Sequence, residues 1–120
     1  MKKIVLFCVV AFLLSVSSAS AKDWVQVSEV NSASALITSK VGYWAGISVT
    51  SDGANNITLD VYDNTAAGGK KMVQTLQITT SASNRVHTFS IDPPTMYQNG
   101  IYVAVTCAGT MSYVVYFAAQ

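Results

Sequence analysis

The fold class follows from Ile57-Thr58-Leu59-Asp60-Val61-Tyr62, six residues in which apolar and polar side chains alternate. Successive residues of a strand point to opposite faces, so this period of two predicts a strand with one buried face. The same alternation recurs between Gly42 and Phe117, where turn residues such as Asp52-Gly53 separate the segments. No segment after Ala21 shows sustained helical periodicity. The sequence therefore predicts an all-β protein.

The number and spacing of the segments refine this prediction. Seven or eight short strands with turns every ~8–12 residues are typical of an antiparallel β-sandwich or jelly roll. The segments that begin at Trp24 and Ala35 are the least regular of them. Ala108-Gly109-Thr110 predicts a hairpin between the last two strands. Asp92-Pro93-Pro94 predicts the end of the strand that contains Phe89, because proline cannot donate a ladder hydrogen bond.

The first residues have the three zones of a secretory signal peptide. Lys2-Lys3 is followed by the apolar run Ile4 to Leu14 and by the small residues Ala19-Ser20-Ala21. The run is shorter than the ~20 residues that a membrane-spanning helix needs. We expect cleavage after Ala21, with an uncleaved anchor as the alternative. The predicted organisation is a signal peptide over 1–21 and one β-sandwich domain over 22–120, exported to the periplasm or the medium, with no stable membrane span after cleavage.

The charge of the mature chain argues against nucleic acid as a partner. Removing Lys2 and Lys3 takes Lys plus Arg from 7 to 5 against 6 Asp plus Glu, so the formal charge changes from +1 to −1. The remaining basic residues are scattered, and Lys70-Lys71 is the only pair after the signal peptide. Phosphate recognition needs a concentrated basic surface. We therefore expect no nucleic-acid partner.

Catalytic motifs are missing from the sequence. His87 is the only histidine, and the alternation places it on the same strand face as Phe89, which favours a structural role. No serine lies in a Gly-x-Ser-x-Gly elbow. Cys107 is the single cysteine after Ala21 and is in phase with the apolar residues of its strand, so we expect a buried small side chain there. The prediction is that the protein is not an enzyme and that no residue is catalytic.

Metal binding is equally unsupported by residue type. One histidine and one cysteine cannot form a four-ligand zinc site. Asp60, Asp63 and Asn64 could offer oxygens to calcium near a turn, but calcium takes six to eight oxygen ligands, and Asx turns explain these residues more simply. We expect no metal site and no cofactor.

The aromatic residues provide the candidate binding site. Tyr62 and Tyr102 are out of phase with the apolar faces of their strands, and Tyr43-Trp44 lies between glycines at a strand start. Exposed coplanar rings would suit the C–H face of a pyranose sugar. The alternative is that the tyrosines are half-buried with the hydroxyl in water. Tyr43, Trp44, Tyr62 and Tyr102 are the candidate binding residues.

Four motifs follow one another in a characteristic order along the chain. They are Gly42-Tyr43-Trp44-Ala45-Gly46-Ile47-Ser48-Val49-Thr50, Leu59-Asp60-Val61-Tyr62-Asp63-Asn64-Thr65-Ala66-Ala67-Gly68-Gly69, Asn99-Gly100-Ile101-Tyr102-Val103-Ala104-Val105-Thr106 and Tyr113-Val114-Val115-Tyr116. Their order resembles that of small phage virion-associated β-sandwich proteins, which carry G-x-x-x-G-I/V-x-V, then L-Y-D-N-T-x-A-G, then G-I/L-Y-V-x-V-T-x-x-G, and close on Y-x-V-x-Y. The resemblance covers Ala35 to Phe117 and implies a virion surface or tail-associated structural role. A signal peptide is atypical for that group.

Two functions from different classes follow from these features. The first is a structural or adhesive module that assembles with copies of itself or docks on a larger particle, a virion if the protein is phage-encoded. Its support is composition, since 51% of the residues are hydrophobic and only 11% are charged, which lets strand edges and faces associate without repulsion. The second is an exported carbohydrate-binding module that uses exposed aromatic residues.

Overall fold

The computed structural model describes residues 25–120. The predicted signal peptide, residues 1–21, and the predicted strand start at Trp24 lie outside the described residues. The described chain is all-β, which confirms the predicted fold class. It has eight strands, β1 (Gln26–Val27), β2 (Ala35–Thr38), β3 (Gly42–Ser51), β4 (Ile57–Tyr62), β5 (Leu76–Ile78), β6 (Val86–Tyr97), β7 (Ile101–Cys107) and β8 (Met111–Ala119).

The strands form two four-stranded antiparallel sheets, an arrangement consistent with a β-sandwich. Sheet A has the order β1-β8-β3-β6, and sheet B has the order β2-β7-β4-β5. The pairing is nested, because β1 pairs with β8, β2 with β7, β3 with β6 and β4 with β5. Every connection except that between β4 and β5 therefore passes from one sheet to the other.

The period-two pattern places one face of each central strand in the core. In β4 the residues at 57, 59 and 61 are buried, whereas those at 58, 60 and 62 are partly exposed. Complete burial of a large aliphatic or aromatic side chain contributes about 1.5–3 kcal/mol to folding. The side chains with essentially no exposure are Trp44, Tyr97, Tyr113, Ile47, Ile57, Leu59, Ile101, Val49, Val61, Val103 and Val115.

The predicted hairpin between the last two strands is wrong. β7 belongs to sheet B and β8 to sheet A, so Ala108-Gly109-Thr110 carries the chain across the sandwich. Each of these strands has a partner of greater sequence separation, β4 for β7 and β3 for β8. A three-residue connection can join two strands of one hairpin or two strands in different sheets. The pairing of β7 and β8 with distant strands favours the second arrangement.

The predicted strand end at Asp92-Pro93-Pro94 is also wrong. β6 continues to Tyr97, and the three residues lie within an irregularity of the β3–β6 ladder between the pairs Gly46↔Ser90 and Trp44↔Thr95. Proline is tolerated because β6 is an edge strand and the irregularity removes this segment from the ladder.

Two buried tyrosines differ in whether their hydroxyl groups are satisfied. The Tyr113 hydroxyl donates to the Ala33 carbonyl at 2.8 Å. The Tyr97 hydroxyl has no hydrogen-bond partner among residues 25–120 and faces the Cα of Gly42. Burial raises the pKa of both phenols to about 12. Both side chains therefore stay neutral at ordinary pH.

Removal of the two hydroxyls should affect stability differently. Tyr97→Phe removes a buried polar group that lacks a partner, so we expect the free energy of unfolding to stay unchanged or rise by up to about 1 kcal/mol. Tyr113→Phe removes a satisfied hydroxyl and leaves the Ala33 carbonyl without its donor, so we expect a loss of about 1 kcal/mol. Denaturant unfolding of both variants measures the difference. A loss for Tyr97→Phe as large as that for Tyr113→Phe would contradict the finding that the Tyr97 hydroxyl has no hydrogen-bond partner.

Candidate functional site

The aromatic residues proposed as one binding platform do not lie together. Trp44 has no exposed surface and lies in the core, where its Nε1 donates to the Gly46 carbonyl at 2.8 Å. The expectation of an exposed ring is therefore wrong for Trp44. Adjacent residues Tyr43 and Trp44 must point to opposite faces of sheet A. The register shift of β3 between Trp44 and Gly46 is the reason that Trp44 is the one that points inward.

Tyr43 lies on the outer face of sheet A and is 41% exposed. Its cross-strand neighbours are Met96 of β6 and Ala118 of β8. On the adjoining strands of the same face, Val27 pairs with Tyr116. We call Val27, Tyr43, Met96, Tyr116 and Ala118 the Tyr43 face.

The Tyr43 face is uncharged. Within the four strands of sheet A, Asp92 is the only residue with a formal charge, and it lies in the irregular part of β6. Val27 and Met96 are 58% and 47% exposed. Contiguous exposed apolar surface on a soluble domain commonly marks an interaction site. The Tyr43 face thus presents apolar side chains with no charge to repel a partner.

Tyr62 and Tyr102 lie on the other side of the molecule, on the outer face of sheet B. They are direct cross-strand partners in the β4–β7 ladder, and both are partly exposed. Leu36 of β2 is the next residue across the sheet and is 48% exposed. Lys71 follows on the opposite side, bridged to Tyr62. The structure therefore brings together two of the four candidate aromatic residues in the row Leu36, Tyr102, Tyr62, Lys71.

A polar cluster adjoins the tyrosine pair. Lys71 Nζ lies 2.8 Å from Asp60 Oδ1, and the Thr75 hydroxyl donates to the same oxygen at 2.6 Å. Hydrogen bonds from Lys71 and then Thr75 lower the pKa of the Asp60 carboxyl, and the bond to Asp60 raises the pKa of Lys71. Lys71 Nζ also lies 5.9 Å from the centroid of the Tyr62 ring, at the outer limit of a cation–π contact. Lys71 is exposed to solvent, so screening keeps the contribution of this pair to stability small.

The oxygens considered for calcium are engaged separately. Asp60 binds Lys71 and Thr75, whereas Asp63 Oδ1 accepts the main-chain N–H groups of Gln98 and Asn99 at 2.9 and 2.8 Å. Asn64 Oδ1 accepts the N–H of Thr65. Across residues 25–120, no group of three or more His, Cys, Asp or Glu side chains is arranged to hold a metal ion.

Asp52 joins the β3–β4 turn to the β7–β8 connection. Its carboxylate accepts hydrogen bonds from the N–H groups of Ala54 (2.8 Å), Asn55 (3.1 Å) and Thr110 (3.1 Å), and from Nδ2 of Asn55 (2.9 Å). These bonds, the one from Ala54 first, lower the pKa of Asp52 from 3.8 to about 2. A Cβ at Gly109 would collide with this carboxylate, so the crossing between sheets needs glycine there.

The Asp52 interaction predicts a specific loss of stability in acid. The pKa is lower in the folded state than in the unfolded state, so folding favours the ionised carboxylate. Its contribution is present above the unfolded pKa of 3.8 and disappears as the pH falls toward about 2. We expect the melting temperature of Asp52→Asn to fall less than that of wild type between about pH 4 and pH 2. Equal slopes in thermal melts across this range would contradict the prediction.

Cys107 and His87 lie in different sheets. Cys107 is half-buried on the inner side of sheet B and lines an open cleft of about 420 Å³ with Ser32, Ser34 and Met111, so it is less buried than expected. His87 lies on β6 with its side chain on the same face as Phe89, and its Nε2 is 3.3 Å from the Asn84 carbonyl oxygen.

Sequence reasoning missed the neighbours of the tyrosines. Lys71 and Thr75 reach Asp60 only because the β4–β5 connection folds back over sheet B, and no periodic pattern marks that connection. Met96 joins Tyr43 through a β3–β6 pairing that spans about half of the chain. Tyr116 was detectable, because it alternates with the buried residues Val115 and Phe117 of β8.

The comparisons with known proteins identify no family for this chain. No protein-family model, curated protein or solved structure matches it. Within the part of the chain described here, no helix has the length and apolar character required to cross a membrane.

Proposed function

We propose that this protein is a non-enzymatic structural or adhesive module that docks on a larger particle or assembles with copies of itself. The observation that carries the proposal is the Tyr43 face, an uncharged and largely apolar surface at one end of sheet A. Tyrosine and methionine are enriched at the centres of protein interfaces, and charged residues are depleted there.

The finer architecture that we propose is a jelly roll. Its support is the nested pairing of β1 with β8, β2 with β7, β3 with β6 and β4 with β5 across two four-stranded sheets. Jelly rolls are widespread among capsid and lectin domains, which present sheet faces and loops for assembly and recognition. This architecture accords with the resemblance to virion-associated β-sandwich proteins.

The proposed location is outside the cytoplasm, after removal of residues 1–21. The supporting features are the Lys2-Lys3 start, the short apolar run and the Ala19-Ser20-Ala21 exit. Mass spectrometry of periplasm, culture medium and purified virus particles tests both the proposed export and the proposed association with a virion. A peptide that begins at Lys22 would show cleavage, and recovery of the chain in particles would place it in a virion.

Charge on the Tyr43 face tests the docking surface. We expect Met96→Glu to weaken binding to purified particles or cell envelopes by about tenfold or more, because docking would bury the new carboxylate without a partner. Leu36→Glu is the matched control, since Leu36 is exposed to a similar extent on the outer face of sheet B. Co-sedimentation measures both. Equal loss in the two variants, or no loss in either, would contradict docking through the Tyr43 face.

The second candidate function is carbohydrate binding, which the Tyr62–Tyr102 pair favours. Two neighbouring rings offer a platform, and the Asp60 carboxylate beside them can accept sugar hydroxyl groups. Lys71 already approaches Tyr62, so Tyr102 is the ring to test first. We expect Tyr102→Ala to abolish any glycan binding that Tyr43→Ala retains. Glycan-array and calorimetric measurements that show no binding by wild type would remove this candidate.

A further inference from the structure

β6 is the one long strand edge that the described chain leaves open. It contains 12 residues and pairs only with β3 among residues 25–120. The other edge strands are short: β1 has 2 residues, β5 has 3, and β2 has 4 with a register shift. Soluble proteins usually protect edge strands by shortness, proline, bulges or charge. Pro93 and Pro94 protect only the second half of β6, and the segment Val86–Ser90 has none of these devices.

The ladder with β3 shows which backbone groups of this segment are free. Ser51 N–H donates to the Arg85 carbonyl, so 51 and 85 form a hydrogen-bonded pair. Hydrogen-bonded pairs recur at every second residue of an antiparallel ladder. The backbone N–H and C=O groups of His87 and Phe89 are therefore also bonded to β3. The N–H and C=O groups of Val86, Thr88 and Ser90 therefore point away from the sheet. These three residues are exposed.

We propose that this edge pairs antiparallel with the same edge of a second copy of the chain, with Thr88 opposite Thr88 on the two-fold axis. The proposal rests on the proposed structural function and names the surface through which copies associate. Only residues whose backbone groups point outward can form hydrogen-bonded pairs, so this register also places Val86 opposite Ser90. About six backbone hydrogen bonds would form, joining two copies of sheet A into one sheet of eight strands.

The charges at the two ends of the edge favour a second copy in this orientation. Arg85 precedes the open segment and Asp92 follows it, and both are exposed. Between them, residues 86–91 carry no formal charge. Antiparallel pairing brings each arginine to the acidic end of the other copy, opposite Ile91 and next to Asp92. A parallel arrangement would instead bring like charges together.

The inner side of the junction is compatible with this register. His87 and Phe89 point toward the inner face of sheet A and would become cross-strand neighbours between copies. Aromatic cross-strand pairs are favourable in antiparallel sheets. On the outer side, the two Tyr43 faces would lie on the same side of the joined eight-stranded sheet.

Opposite charges at the axis test the pairing. Thr88→Lys and Thr88→Asp each place two like charges directly opposite one another, so we expect each variant to raise the dimer dissociation constant by about tenfold or more. An equal mixture of the two variants should recover the dimer as a heterodimer. Thr106→Lys, on the outer face of sheet B, is the control and should dimerise as wild type does. Sedimentation velocity measures wild type and these four samples.

A cysteine provides a second test that does not depend on the charged variants folding. Thr88→Cys should form an interchain disulfide under mild oxidation, because Cα atoms of a hydrogen-bonded pair lie ~5.5 Å apart. Thr106→Cys should not form this disulfide.

A monomeric wild type at all concentrations, or dimers that persist in Thr88→Lys, would overturn the pairing. Failure of the proposed docking function is a separate outcome. It is measured by the binding of the Met96→Glu variant to particles, not by dimerisation. Dimerisation that follows the Thr88 charges, without any particle binding, would support the edge pairing and contradict docking.

Discussion

Trp44→Ala is expected to lower the free energy of unfolding by about 4 kcal/mol, within the range measured when a buried aromatic side chain is truncated. Trp44 is fully buried between the sheets, and its Nε1 hydrogen bond to the Gly46 carbonyl lies beside the irregularity of β3. Truncation leaves a cavity and a carbonyl without its donor. For a domain of about 100 residues, this loss lowers the melting temperature by roughly 15–30 °C.

The neighbouring residue provides the control. Tyr43→Ala changes a 41% exposed side chain on the opposite face of the same strand, so we expect a change within about 0.5 kcal/mol. Denaturant unfolding of both variants measures the contrast. A Trp44→Ala protein as stable as wild type would contradict the core packing role of Trp44. A loss of glycan or particle binding by Trp44→Ala is expected to follow from unfolding, and the melting curve of the variant shows how much of it is unfolded.

Asp63→Ala should cause the second-largest loss, about 3 kcal/mol. The Asp63 side chain is 7% exposed, and Oδ1 accepts the N–H groups of both Gln98 and Asn99 in the turn between β6 and β7. Hydrogen bonds to a charged group are worth about 1.5–3 kcal/mol each, and their removal leaves two donors without a partner. The change also releases the β4–β5 connection from that turn.

Asp63→Asn separates the hydrogen bonds from the charge. The asparagine carbonyl oxygen can accept the same two N–H groups, so we expect it to retain more than half of the lost stability. Thermal and denaturant unfolding of both variants measure this ratio. Equal losses for Asn and Ala would mean that the negative charge, and not the geometry of the acceptor, stabilises the turn.

The two aspartates have corresponding roles at opposite ends of the sandwich. Asp52 links the β3–β4 turn to the β7–β8 connection, and Asp63 links the β4–β5 connection to the β6–β7 turn. Each carboxylate accepts main-chain N–H groups from a loop that is more than thirty residues away in sequence. Their sequence context, Asp52-Gly53 and Asp63-Asn64, predicts turns but contains no signal for these distant partners.

Local alternation determined several features of this protein without any structure. It predicted the all-β class, the approximate number of strands, and the inward side chains of β4 and β8, because strand geometry directs alternate residues to opposite faces. The same rule, extended back from Ile47 and Val49, would have placed Tyr43 inside and Trp44 outside. The register shift of β3 between Trp44 and Gly46 reverses that phase, so Trp44 is the buried ring. Local alternation contains no signal for this shift, because it depends on the pairing of β3 with β6 and β8.

Tertiary structure alone decided which strands pair. Antiparallel partners such as β1 and β8 are distant in sequence, and every central strand in this chain has the same apolar alternation, so local patterns cannot distinguish one partner from another. Because of this pairing, β7 and β8 lie in different sheets, and Tyr62 lies beside Tyr102 but on the other side of the molecule from Tyr43. The pairing also leaves Val86–Ser90 as an open edge. These relations depend on non-local hydrogen bonds and shared burial, which exist only when the whole chain has folded.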